Sequence, residues 1–113
     1  MANLEEKWDE FLDTVIEDAK DLAGSLWKDW KQEAGEDAKK LAEFSKEKLV
    51  KWSQALAEDK IDKDEYALLV RSLTTLAKLD ALKAKGLADQ RLEQLRIGLI
   101  GIITRATHLA IGI

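Results

Sequence analysis

Apolar residues recur at Leu4, Trp8, Phe11, Val15, Ala19, Leu22, Leu26 and Trp30, in steps of four, three, four, four, three, four and four. This pattern repeats every eleven residues, about 3.67 per turn, so the positions stay on one side of a nearly straight helix. Leu12, Ile16, Ala23 and Trp27 widen that side into a broad apolar face. Glu5, Glu6, Asp9 and Glu10 occupy the opening turns, where negative charge complements the helix dipole. The spacing predicts a first helix over about residues 3–34.

Between Glu33 and Lys40 the chain is polar and small, and Gly35 is a candidate break or kink. The apolar pattern resumes at Leu41, Phe44, Leu49, Trp52 and Leu56, predicting a helix over about 37–58. A turn follows at about 58–62. Asp62 is placed to cap the next helix, Glu65 to complete a capping box, and Ile61 and Tyr66 to form a hydrophobic staple. Tyr66, Leu69, Val70, Leu73, Leu76 and Ala77 then fall on one face, with Leu68, Leu79 and Leu82 beside it, over about 62–85. Lys83 and Lys85 precede Gly86, a second candidate break, as suits a helix C-terminus. A last helix is expected over about 88–112, opening at Asp89.

The fold class is therefore all-α: an antiparallel helical hairpin or bundle in one domain spanning 1–113. Its central turn lies about midway between Gly35 and Gly86. If both glycines are turns, the hairpin folds in half into a compact four-helix bundle. If both are kinks, each arm is a helix of about 50 residues and about 75 Å, against about 35 Å for a compact domain of this size.

The C-terminal segment, residues 97–113, is apolar almost all round. Gly98, Gly101 and Gly112 fall along one ridge with Arg105 and His108, and a glycine ridge lets another backbone approach closely. Leu95, Leu99, Ile102, Ile103, Ala106, Leu109 and Ala110 take the opposite face. The run is at the short limit for a membrane span and carries Arg105 and His108, so burial in a bundle or an oligomer is the favoured reading.

Composition sharpens this picture. The absence of proline among 113 residues favours uninterrupted helices, and 35% charged residues give a well-solvated exterior. The net charge of −4 hides an asymmetry. Met1–Glu65 carries 11 basic and 19 acidic residues, net −8; Tyr66–Ile113 carries 7 and 3, net +4. Opposite halves attract, within a chain or between chains. Neither half reads as a nucleic-acid surface. The start Met1-Ala2-Asn3-Leu4-Glu5-Glu6 lacks the pattern of a secretory leader, so a cytoplasmic origin is expected, with membrane association as the alternative.

Candidate chemistry is sparse. No cysteine is present, which removes disulfides, thiolate catalysis and cysteine-bound zinc. The single histidine, His108, has no carboxylate at helical spacing to make it a general base or metal ligand. The segment Ile61-Asp62-Lys63-Asp64-Glu65 resembles the end of an EF-hand loop, but the alignment puts Leu56 at a ligand position and Asp59 where glycine is needed. Trp8, Trp27, Trp30 and Trp52 read as core or interface residues before lipid anchors. The eleven-residue period is similar to that of exchangeable apolipoproteins in pattern only. A hairpin with a tryptophan near its bend resembles the small secreted WXG-type helical dimers, from which Trp52-Ser53-Gln54 departs by lacking the glycine.

These features predict a non-catalytic structural or assembly module with no cofactor, no metal and no catalytic residue. It self-associates through amphipathic helices and the glycine-ridged C-terminal helix. The expected interface comprises Trp8, Trp27, Trp30, Gly98, Gly101, Ile102, Arg105, His108 and Gly112, and the expected partner is a second copy. The alternative is reversible lipid binding or membrane insertion, with the stripes opening onto bilayer; an adaptor for another helical protein is a third reading.

Overall fold

The computed structural model describes residues 3–113; Met1 and Ala2, which open the segment read against a leader, lie outside it. Among the described residues the chain is all-helical: α1 Trp8–Trp27, α2 Lys31–Phe44, α3 Lys46–Ala57, α4 Lys63–Thr75, α5 Asp80–Ala84 and α6 Asp89–Ile111. Extents of 42 × 22 × 22 Å and a Cα radius of gyration of 13.6 Å select the compact bundle over the long hairpin. An unfolded-back arm of about 50 residues would by itself exceed the longest extent.

The bundle has four arms. α1 packs against α2 and α6, α6 against α4, α2 against α5, and α3 against α4, which sets α1 diagonally across from α4. Ala19 and Ala23 of α1 and Ala34, Ala38 and Ala42 of α2 are fully buried. Small side chains there let α1 and α2 approach closely, so the stretch where the stripe thins to alanine is a tight helix contact. Phe11, Val15, Leu49, Tyr66, Val70, Leu82, Leu92, Leu95, Leu99 and Ile103 fill the remaining core.

The first break falls elsewhere than Gly35. α1 ends at Trp27, and the chain reverses through Lys28 and Trp30, both left-handed at φ 61°. The Lys28 N–H returns to the Gly24 carbonyl at 3.0 Å, and the Trp30 N–H donates to Asp29 Oδ1 at 2.8 Å. Left-handed backbone at a non-glycine residue costs about 1–2 kcal/mol. Trp27 and Trp30 offset this by packing edge-to-face across the reversal, ring centroids 6.1 Å apart, and against the core. Their shared burial continued the apolar spacing through the turn and concealed it. Gly35 instead lies buried inside α2, where a Cβ would stand 3.0 Å from Lys20 Cγ and Cε of α1. Its missing side chain serves helix approach.

The second arm bends at the buried Ser45, between α2 and α3. Residues 58–62 form the central reversal, and Asp62 and Glu65 close a capping box: Asp62 Oδ1 accepts the Glu65 N–H at 2.7 Å, and Glu65 Oε1 the Asp62 N–H at 3.1 Å. The third arm is not one helix over 62–85. It stops at Thr75, turns at the buried left-handed Leu79, and resumes as the short α5. Gly86, at φ 82°, makes the turn into α6.

Candidate interaction surface

Three polar side chains tie the arms of the bundle together. Tyr66 Oη lies 2.7 Å from Thr107 Oγ1, which donates to the Ile103 carbonyl at 2.8 Å, so the tyrosine hydroxyl is the donor to threonine. Burial pushes the Tyr66 phenol up to about 12. Asp37 of α2 accepts the N–H groups of Ala81 and Leu82, both at 2.9 Å, closing the first turn of α5. Burial holds the Asp37 carboxyl above its ordinary value, against the lowering effect of those two bonds. Arg96 of α6 donates through Nε and Nη2 to the Ala77 carbonyl at 3.1 and 2.8 Å, tying down the end of the α4 arm. Each group holds one arm to another.

The structure places the sequence-predicted interface residues in several different environments. Trp8 is a core residue, 7% exposed, stacked near Phe11 and covered by Lys46 Nζ 5.2 Å from its ring. Trp27 and Trp30 are half-buried at the first reversal, held to α6 by Gln94, 3.4 Å from Trp27 Nε1, and by the Arg91 guanidinium 5.4 Å from the Trp30 ring. Gly98 faces α1, where a Cβ would run into Leu22. The close approach expected along the glycine ridge is thus made within the chain at that position. Gly112 is the left-handed C-cap of α6, its N–H returning to the His108 carbonyl. His108 packs beside Tyr66, ring centroids 6.4 Å apart, with a buried Nε2 that has no hydrogen-bond partner. Burial and the nearby Lys63 hold its pKa below the ordinary histidine value.

Gly101, Ile102 and Arg105 remain together at the surface. With Asp18, Asp21, Leu22 and Gly98 they line a groove of about 470 Å³ between α1 and α6. A Cβ at Gly101 would meet nothing within 4 Å. Along the same line of α6, one turn apart, stand Glu93, Ile97, Gly101, Arg105 and Leu109. Ile97 and Leu109 are 62% and 64% exposed. Leu109 therefore leaves the buried face expected for it. On the other flank of α6, Ile97 and Ile100 share a groove of about 740 Å³ with Leu68 of α4, itself 65% exposed.

Phe44 and Leu76 also depart from the sequence pattern, which put both on buried stripes. They are 92% and 81% exposed, the Phe44 side chain leaving the core at the α2–α3 bend and Leu76 at the α4–α5 break. Together they border a recess of about 270 Å³ with Leu41 and Leu79. Lysines one turn either side of Phe44, at Lys40 and Lys48, were the available sequence signal that this position faces water.

Among the described residues no cluster of three histidine, cysteine or carboxylate side chains is placed to hold a metal ion. No described helix is long and apolar enough to cross a membrane. The stripes that a lipid-binding reading would open onto bilayer are the core of the bundle. The five ion pairs among the described residues join near neighbours in sequence, so the opposed charges of the two halves are not expressed there as a contact between arms.

No protein-family model, curated protein or solved structure matches the chain.

Proposed function

We propose that this chain is a non-catalytic assembly module that pairs with a second copy of itself through the outer ridge of α6. The observation that carries the reading is the order of residues on that ridge. When two α6 helices cross antiparallel with Ile97 set against Gly101 of the second copy, the same register sets Glu93 against Arg105 of the second copy. A two-fold pair repeats both contacts, as an isologous interface requires. An exposed isoleucine then enters a notch without a side chain, and opposite charges flank it.

Two further features support it. Ile97 is a large apolar side chain in water on that line, and pairing would cover it. The grooves on both flanks of α6 leave room for a second backbone beside the ridge.

Light scattering with mass determination tests the proposal. At tens of micromolar the chain is expected to run as a dimer, and Gly101→Leu as a monomer with unchanged circular dichroism, since the position opens onto solvent. A monomeric wild type at that concentration, or a Gly101→Leu variant that still pairs, would overturn it.

A further inference from the structure

The reversal between α1 and α2 carries neither the residue that usually ends a helix nor one that usually begins one. Lys28 closes α1 in the left-handed region at φ 61°, where glycine is the common choice. Trp30 stands at the N-cap of α2, also at φ 61°, and gives that helix no side-chain hydrogen bond. Only Lys28, Asp29 and Trp30 separate the two helices. None is glycine or proline, so all three accept helical backbone. The apolar stripe also runs through them, from Leu22 and Leu26 to Trp30 and Ala34. A continuous helix from Trp8 to Phe44, about 55 Å long, would relax both left-handed residues. It would also join the free carbonyls at the end of α1 to the free N–H groups at the start of α2.

We infer that this reversal is a hinge through which two copies of the chain exchange α1, each placing its first helix in the bundle of the other. The partner is a second copy because that copy has the seat α1 fits. The seat is the face of α2 lined by Ala34, Ala38 and Ala42, and the flank of α6 where Leu22 fills the space beside Gly98. The register permits the exchange. Lys20 lies against Gly35 and Lys31 against Gly24, and both pairs are centred on the Trp27–Lys28 bond. Two straightened helices crossing antiparallel about that bond restore both contacts between copies, each twice, as a two-fold axis requires. Trp27 and Trp30, three residues apart, stay on one face. Leu26, 42% exposed at the end of α1, lies on the stripe and faces the other long helix at the crossing. Short connections under strain invite such exchange. α1 packs on both α2 and α6, so it changes places during unfolding and refolding, and the exchanged pair is then trapped. The exchange uses neither Ile97 nor Gly101 and is independent of pairing through the α6 ridge.

Cross-linking reads which bundle α1 sits in. The chain has no cysteine. A Cβ at residue 35 would stand 3.0 Å from Lys20 Cγ, so a disulfide can join the two positions in Lys20→Cys/Gly35→Cys. The variant is unfolded in urea with reductant, refolded at about 500 µM or about 1 µM, brought to the lower concentration and oxidised. On a non-reducing denaturing gel, α1 in its own bundle gives a monomer, as does pairing through α6 alone. Exchanged α1 gives a covalent dimer. That dimer is expected after refolding at the high concentration and not at the low one. Adding Lys28→Gly should cut its yield at least about fivefold, because glycine accepts the left-handed backbone and weakens the continuous helix. The unaltered chain, refolded at high concentration and diluted to about 1 µM, should keep a dimer that dissociates over hours rather than seconds. Monomer alone on the gel at both concentrations, a yield indifferent to Lys28→Gly, or an unaltered chain with no dilution-resistant dimer would each overturn the inference.

Discussion

Asp37 Oδ2 accepts the backbone N–H of Leu82 at 2.9 Å, across 45 residues of sequence. The bond does for α5 what a local cap does for other helices. The residue at the α5 N-cap position, Leu79, has no side chain able to accept, and its left-handed backbone leaves the first N–H groups pointing into the bundle. A buried carboxylate from α2 meets them, so a five-residue helix too short to persist alone is fixed from outside.

Replacing Asp37 should therefore loosen one region first. Asp37→Ala leaves two inward-facing N–H groups unpaired, and a cost of about 1–3 kcal/mol is expected in urea denaturation. Amide exchange at Ala81 and Leu82 should accelerate while Val15 and Leu99 stay protected. Acid adds a second reading. Burial raises the folded pKa above 3.8, so the folded chain holds this proton more tightly than the unfolded chain. The titration thus contributes stability that is fully present below the unfolded value and lost as pH rises through the folded one. Relative to Asp37→Asn, the wild type should gain stability as pH falls through that window; no change would show that the carboxyl titrates alike in both states.

His108 should act in the opposite sense. Its folded pKa lies below 6.5, chiefly through burial and then through Lys63, so the unfolded chain binds the proton more readily. Stability from this residue is present above the unfolded value and lost as pH falls through the folded one. The buried Nε2 has no acceptor for a proton gained there. The urea midpoint of the wild type should drop between about pH 7.5 and about pH 5 more than that of His108→Gln. Parallel curves for the two proteins would remove His108 as the source.

The two glycines on α6 should respond differently to the same change. A side chain at Gly98 meets Leu22 of α1, whereas one at Gly101 meets nothing within 4 Å. Gly98→Leu should push α6 from α1 and cost about 1–3 kcal/mol. Gly101→Ala should stabilise the isolated fold by about 0.5–1 kcal/mol, because alanine favours helix and no neighbour objects. Thermal melts of both variants decide this, and equal destabilisation would show that the helices pack differently along this ridge.

These contrasts show what the apolar pattern made legible. Periodicity located the four arms, because burial repeats at helical spacing within each, as at Phe11, Val15 and Ala19 of α1 and Leu92, Leu95, Leu99 and Ile103 of α6. The capping box at Asp62 was readable because both partners lie within one turn. The reversal at Lys28–Trp30 was not, since its left-handed residues are not glycine and Trp27 and Trp30 keep the stripe unbroken. Nor was the outward turn of Leu76, at a break held from α6 by Arg96 on the Ala77 carbonyl, and for Phe44 the flanking Lys40 and Lys48 were the one signal. Of the surface site, Gly101 and Arg105 were legible from the glycine ridge. The exposure of Ile97 and Leu109 depended on which side of α6 met α1 and α4.

The proposed pairing of α6 helices makes one prediction that surface charge alone does not. In the antiparallel register Glu93 of each copy faces Arg105 of the other, so each charge pair occurs twice. Glu93 is 60% exposed and already lies 3.4 Å from Arg96, so the added attraction is modest, about 0.2–1 kcal/mol per pair. Arg105→Glu alone sets carboxylate against carboxylate at both places and should weaken the dimer, as should Glu93→Arg. The double exchange restores opposite charges and should recover most of the loss, giving a coupling that a double-mutant cycle measures by sedimentation equilibrium. The recovery should shrink at high salt, where exposed charges are screened. If the two exchanges simply add, Glu93 and Arg105 do not face each other, and an antiparallel crossing at Ile97 and Gly101 is the wrong register.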